Sequence, residues 1–497
     1  MFVALAVITL LFRFWLAARV PFTPDEAYFY FWGVFPDYGY YEQPPMVGWW
    51  LAALLHLSPA AWVLRLPQTL GPVLMALSMI ALSAPEDRAK AYAAASAFLA
   101  CPAEVWNVLI TTDTPLVLFS FACVALFLTA LERDKWGYYA AAGVLYGCAF
   151  LSKYLAVPLA LAFVVFALIS PRAEGRIPGL LVMAAAAAPA GLLTLYWNYQ
   201  HCWGNIVFNL INRNEGTGLS WRGPAEYAAT LAYMFCPVAL WHLWRRRAQA
   251  RSWMVKPQTR LLLASVLVPA GVLGLISVDR DVGLHWLLSF VPFFYLALIR
   301  LLDEREIARS VTFQSALGGA HLALLTLAML VPLGAWQNLA IYPKLVFHSR
   351  TKEVLREIEP YLDGPVLAGD GYSTAAVLGY YSGRYVPAFA PFGPHGRQDD
   401  LLVDVRDFDG RDIAIFNETP FQAKDYTKFF QSVETRTLQV AGADFYLALG
   451  HGFDYSAYKE RVLRRQLARH YKIPAFLPQG HCYFCERYFS MDKCPTR

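Results

Sequence analysis

PFTPDEAYFYFWGVFPDYGYYEQPPMVGWW, residues 21–50, follows one apolar segment and precedes many more. It holds Asp25, Glu26, Asp37 and Glu42 with no Lys or Arg among them. Acids in such a setting are solvated, bind a cation, or serve as bases toward a neutral, hydroxyl-bearing substrate. Tyrosines and tryptophans crowd the same stretch, offering flat amphipathic faces that suit a membrane interface or stack on a sugar ring. An interfacial belt accounts for the aromatics but leaves the acids unexplained.

The rest of the chain sets this stretch in a membrane. Of 497 residues, 57% are hydrophobic and only 16% charged, against about 25% charged in soluble proteins. A net charge of +5 with no basic run carrying interleaved aromatics argues against a nucleic-acid partner. Residues 1–18 are apolar apart from Thr9 and Arg13 and read as a span rather than a cleaved leader, for want of a basic n-region. Pro44 to Leu57 is short, aromatic and proline-led, which suits a helix lying at the interface. Further spans are expected near 63–83, 90–107, 114–132, 137–152, 154–170, 177–197, 226–244, 260–277, 284–301 and 312–335. That makes about 11 crossings.

Loop charges orient them. One set of loops, from Arg88 to Arg309, gathers 15 Lys and Arg; the other has Lys153, Arg213, Arg222 and Arg280. Basic residues stay on the cytoplasmic side, so the N-terminus is inside and residues 21–50 outside. Asp113 in TTDTP, Lys153 in LSKY, WNYQHCWGN (197–205) and DRDVGLHW (279–286) then all fall on the outer face, and their convergence suggests one site. Thr112 or Asp113 is alternatively a helix cap before Pro115, Lys153 a snorkelling residue, and His285 with Trp286 an interfacial anchor.

Beyond residue 340 the apolar runs shorten to strand length at 365–370, 411–416 and 444–449, alternating with amphipathic helical pieces at 351–362 and 373–381. The fold expected is therefore a polytopic α-helical membrane protein with interfacial helices in its first outer loop. Its domains are a transmembrane part, 1–339, and an extracytoplasmic α/β part, 340–497. Cys101, Cys123, Cys148, Cys202 and Cys236 read as small apolar residues. Cys482, Cys485 and Cys494 are expected to supply one disulfide outside the cytoplasm, with a zinc site that includes His481 as the alternative.

DEAYFYFW with YYEQPP, then TTDTPL, FLSKY, YWNYQHCW and a late HW before a span resemble bacterial polyprenyl-phosphate-sugar glycosyltransferases. These group with the dolichyl-phosphate-mannose protein mannosyltransferases and the lipid A aminoarabinose transferases. The resemblance runs over roughly the first 300 residues. It implies an integral-membrane glycosyltransferase of the bacterial inner membrane, working on the extracytoplasmic face; inversion at the anomeric carbon would follow from single displacement. The donor would be a polyprenyl-phosphate-linked sugar and the acceptor a hydroxyl-bearing envelope molecule: lipid A, a glycan or a protein. By the same resemblance Asp25 and Asp113 are acidic site residues, and Glu42 matches a position that contacts a divalent metal cation, a role Asp113 could share. Gln43 stands at a donor-phosphate position where the aminoarabinose branch has Lys, which leaves the specific donor open.

The chemistry matches the residues. A sugar on a lipid phosphate carries its own leaving group, so the enzyme needs a carboxylate for the acceptor's proton and positive charge for the departing phosphate. Asp25, with Glu26 as competitor, suits the first need. Lys153, with a cation on Glu42, suits the second, and His285 and Trp286 are candidates to line the donor or acceptor pocket. A lipid-linked glycan flippase, or a ligase or polymerase using a diphosphate-linked donor, are the alternatives.

Overall fold

The structure is a computed structural model describing residues 1–171, 176–212, 218–389 and 398–489. Arg172, Arg213 and Cys494 lie outside the described residues. The chain folds into two compact units. One comprises Met1–Val20, Leu57–Leu193 and Gly216–Leu330, the other Pro21–His56, Thr194–Glu215 and Val331–Arg497. A split after residue 339 would assign 21–56 and 194–215 to the membrane part; in the fold both stretches pack with the C-terminal part.

The first unit is helical. Among the described residues, six helices are long and apolar enough to cross a membrane: Phe2–Arg19, Ala61–Ala81, Asp113–Arg133, Ile177–Gln200, Pro257–Ile276 and Glu304–Leu330. The other expected crossings are shorter or broken. Residues 90–107 divide into Arg88–Leu99 and Pro102–Trp106, and 226–244 into Arg222–Phe235 and Pro237–Arg245. Proline causes both breaks, because it has no N–H to give the preceding turn and disfavours helical geometry in the residue before it. Cys236, before Pro237, sits at φ 61°. Backbone freed at such a break must be satisfied inside the protein, and here the Met234 carbonyl accepts the Tyr295 hydroxyl at 3.1 Å and the Cys101 thiol at 3.5 Å.

Buried arginines do the same work in the first span. Arg13, 1% exposed, donates through Nε to the Thr69 carbonyl at 3.1 Å and also to the carbonyls of Gln68 and Glu104. Arg65 donates to Ala17 and Val20 carbonyls at 2.8 Å each, filling acceptors that the end of helix Phe2–Arg19 leaves open. Close helix contact depends on small residues. A Cβ added at Gly143 would lie 2.2 Å from the Met183 carbonyl oxygen, so helix Trp136–Phe150 reaches helix Ile177–Gln200 only as glycine.

The second unit contains a four-stranded sheet in the order β1-β2-β4-β3. β1 (Val366–Gly369) runs parallel to β2 (Ile413–Asn417), which pairs antiparallel with β4 (Ala443–Phe453), which pairs antiparallel with β3 (Phe430–Val440). β1, β2 and β4 coincide with the three apolar runs. β3, FQSVETRTLQV, is mostly exposed and lacks the apolar face that marks a strand, because it is an edge strand paired on one side only. Residues 21–56 form two helices, Pro24–Val34 and Met46–Leu55, the second of them on the short segment expected at 44–57. They approach closely enough that a Cβ on Gly33 would meet the Leu51 side chain at 2.7 Å.

Candidate active site

In the first unit, Asp113 opens helix Asp113–Arg133 while Lys153 lies on the turn between Phe150 and the 3-10 segment Tyr154–Ala156. Both are buried, at 6% and 7% exposure. The Lys153 ammonium donates to both Asp113 carboxylate oxygens at 2.8 Å. Thr112, at the N-cap position, makes no side-chain cap. The capping and snorkelling readings thus give way to a buried ion pair between residues forty positions apart. Of the three donors of an ammonium, the contacts seen among the described residues engage both oxygens of the Asp113 carboxylate.

The turn carrying Lys153 joins two walls of an apolar groove. Tyr146, Phe150, Ala160, Phe163, Leu168, Ile177 and Gly191 are among its lining residues, and its volume is about 560 Å³. From Ile177 to Gly191 the wall rises about 21 Å at 1.5 Å per residue. That is most of a hydrocarbon core of ~30 Å. His285 and Trp286 sit on a 3-10 turn, Leu284–Leu287, of the same unit; His285 is exposed and Trp286 packs against the unit's core.

In the second unit, the acids of residues 21–50 differ in use. Glu26 is fully buried and closes a capping box: its carboxylate accepts the Thr23 N–H at 3.1 Å and hydroxyl at 3.0 Å. A Thr followed by Glu three residues on is a recognised N-terminal signature, present in TPDE. Asp25, in the same first turn, is exposed. Asp37 accepts the Trp197 indole N–H at 3.2 Å, and the Asp37 N–H donates to the Tyr40 hydroxyl at 3.2 Å. Tyr40 stacks on Trp32 with ring centres 4.3 Å apart, and burial pushes its hydroxyl pKa up. Glu42 is 7% exposed and Gln43 half-buried; the Gln43 carbonyl accepts the Tyr40 N–H at 3.1 Å.

Trp197, Asn205 and Asn209 hold this loop, three residues without charge to mark them in the sequence. WNYQHCWGN marked the place without indicating what it binds. Cys202, read as a small apolar residue, is instead disulfide-bonded to Cys482, and Cys485 is also disulfide-bonded. Cys482 thus finds its partner outside the tail, and with Cys482 and Cys485 both oxidised neither thiol is left for a zinc site. Among the described residues no three or more His, Cys, Asp or Glu side chains gather as a metal site.

Residues 42–197 match the dolichyl-phosphate-mannose-protein mannosyltransferase family. A curated relative, the lipid A galacturonosyltransferase RgtD of Rhizobium johnstonii, is 28% identical over 187 residues. That match spans 36% of this chain and 39% of the relative's length. Crystal structures of ArnT from Cupriavidus metallidurans, apo and bound to undecaprenyl phosphate, superpose with TM-scores of 0.61 and 0.60. Each covers 90% of this chain and 97% of ArnT at 14% identity. The chain has the ArnT fold. An ArnT fold agrees with the polytopic architecture and sheet-bearing C-terminal part that the sequence indicates, and the family match covers both YYEQPP's acid and the Asp113–Lys153 pair.

Proposed function

We propose that the protein is an integral-membrane inverting glycosyltransferase that moves a monosaccharide from a polyprenyl phosphate to a hydroxyl of an envelope acceptor, lipid A or a similar glycolipid. The observation that carries the reading is the buried Lys153 ammonium, held by Asp113 on the turn that links helices Trp136–Phe150 and Val157–Ile169, both of which line an apolar groove. A lipid phosphate has the matching chemistry: a long apolar chain for the groove and an anion for the Lys153 ammonium.

In this mechanism Asp25 takes the proton of the acceptor hydroxyl as its oxygen attacks the anomeric carbon. The carbon–oxygen bond to phosphate breaks on the opposite face, so configuration inverts and the lipid phosphate leaves. Lys153 stabilises the charge that develops on that phosphate. The capping box that engages the Glu26 carboxylate favours Asp25 over Glu26 as the base. Glu42 is proposed as the protein contact of a divalent cation, whose shell water and phosphate oxygens would complete, as small hard cations prefer; bound there, the cation would add positive charge beside the phosphate. His285 and Trp286 are proposed to line the pocket for sugar or acceptor.

The inner membrane is the proposed location, with the second unit outside the cytoplasm. Loop charge supports that orientation, and so does the Cys202–Cys482 disulfide, since such bonds persist in oxidising compartments. The test is mass spectrometry of envelope glycolipids and glycoproteins from a deletion strain, paired with transfer by purified protein in vesicles containing labelled polyprenyl-phosphate sugar and lipid A. A lost monosaccharide and labelled lipid A are expected. Unchanged glycans, or lipid-linked glycan stranded on the inner leaflet, would overturn the reading in favour of none or of a flippase.

A further inference from the structure

The backbone of Tyr40-Tyr41-Glu42 is bound by side chains much as a peptide ligand would be. Asn205 Nδ2 donates to the Tyr40 carbonyl at 2.7 Å, the Tyr41 N–H donates to Gln398 Oε1 at 2.9 Å, and Asn209 Nδ2 donates to the Glu42 carbonyl at 2.9 Å. Asn205 and Asn209 are one helical turn apart on Gly204–Leu210, and Asn209 also donates to the Asn205 carbonyl at 2.9 Å. Two amides on one face thus grip the loop on either side of Tyr41, whose ring lies between Phe208 at 5.6 Å and Tyr471 at 5.7 Å.

A seven-residue helix is too short to hold its own position, so its anchorage matters. Cys202 and Trp203, immediately before it, adopt left-handed backbone at φ 57° and 54°. They are tied to the C-terminal tail by the Cys202–Cys482 disulfide, by the Cys202 N–H on the His481 carbonyl at 2.8 Å, and by the Trp203 indole on the Pro478 carbonyl at 2.8 Å. From the other side, Asn198 Oδ1 accepts the Ile206 N–H at 3.0 Å. Gly204 leaves room for the Tyr41 ring, which a Cβ there would meet at 3.1 Å.

We infer that Asn205 and Asn209 are positioning residues that set Glu42 for the donor, and that the Cys202–Cys482 disulfide fixes the helix carrying them, so that reduction of this bond weakens donor binding. The inference rests on the proposed donor role of Glu42. Asn209, half-buried, is the variant least apt to perturb folding. Asn209→Ala should raise KM for the lipid-phosphate sugar by roughly five- to tenfold, the scale of one lost hydrogen bond, with kcat nearly unchanged. Asn209→Asp, isosteric but without the donor, should match it.

Hydrogen exchange of the peptide spanning Tyr40–Gln43, followed by mass spectrometry on the full-length protein, reads the clamp independently of activity. Exchange should rise in Asn209→Ala and in Cys482→Ser, and the Cys482→Ser change should add little to KM in the Asn209→Ala background. Unchanged exchange in both variants would overturn the clamp itself. Faster exchange with an unchanged donor KM would leave the clamp standing but remove Glu42 from donor binding, which tells failure of this inference from failure of the reading beneath it.

Discussion

Thr23-Pro24-Asp25-Glu26 and Thr112-Asp113-Thr114-Pro115 open helices Pro24–Val34 and Asp113–Arg133 with nearly the same residues, yet the two N-termini are built on different partners. In the first, Thr23 and Glu26 satisfy one another within a single turn, and Asp25 is left facing solvent. In the second there is no acid at the third helical position to close a box, Thr112 does not cap, and the buried Asp113 carboxylate takes its partner from a different helix connection. A carboxylate engaged locally shapes the backbone, whereas one without a local partner is available to hold a cation from a distant part of the chain.

Exchanging the two neighbouring acids of the first N-terminus should give the largest effect. Asp25→Asn is expected to lower single-turnover transfer by about 10² to 10⁴ at saturating donor, the usual size of general-base catalysis. Glu26→Gln should instead cost about 0.5–2 kcal/mol of stability, as a weakened cap does, with transfer near normal in the folded fraction. Collapse of transfer in Glu26→Gln with a normal Asp25→Asn would reverse the two roles.

At the second N-terminus, Lys153→Met should lower kcat by about 10² to 10³, the scale of removing one donor that stabilises developing charge. It also leaves Asp113 buried without its cation, at a cost on the order of 3–5 kcal/mol. Thermal denaturation therefore accompanies the assay, and Asp113→Asn in the Lys153→Met background should recover much of the stability without the activity. Activity returning along with stability would reduce the pair to a structural one.

A smaller effect is expected at Glu42, which belongs to neither N-terminus. Glu42→Gln and chelator treatment should each raise donor KM by about tenfold, and chelator should add nothing to the variant. Full-rate transfer in chelator with a wild-type Glu42→Gln would remove the cation from the proposal.

The smallest concerns Glu418, which follows β2. Burial first, then the neighbouring Asp370, raises its pKa above the ordinary carboxylate value, even though Thr374 donates to it at 2.9 Å. A raised folded-state pKa means stability that is fully present below the unfolded value and lost as pH rises through the folded one. Glu418→Gln should therefore raise Tm at pH 8 by roughly 2 °C and leave it unchanged at pH 4. Equal Tm gains at both pH values would show that charge is not the cause.

Much of the architecture was already legible in residue order, because hydropathy, charge bias and proline act over a few positions. The apolar segments and strands β1, β2 and β4 all follow from interactions within a turn or a run. TPDE carries its capping box openly by the same logic. What residue order left open was decided by contacts between distant positions. Asp113 and Lys153 were each visible as candidates, but their pairing across forty positions was not. β3 is specified by its partner β4 rather than by its own pattern. Cys202 finds Cys482 across 280 residues, and the loop of Glu42 is held by Asn205, Asn209 and Gln398, none near it in sequence. A short-range pattern records what a residue prefers beside its immediate neighbours; which buried donor meets which buried carbonyl or carboxylate is settled only when packing removes water and each polar group must be satisfied by whatever the fold brings to it.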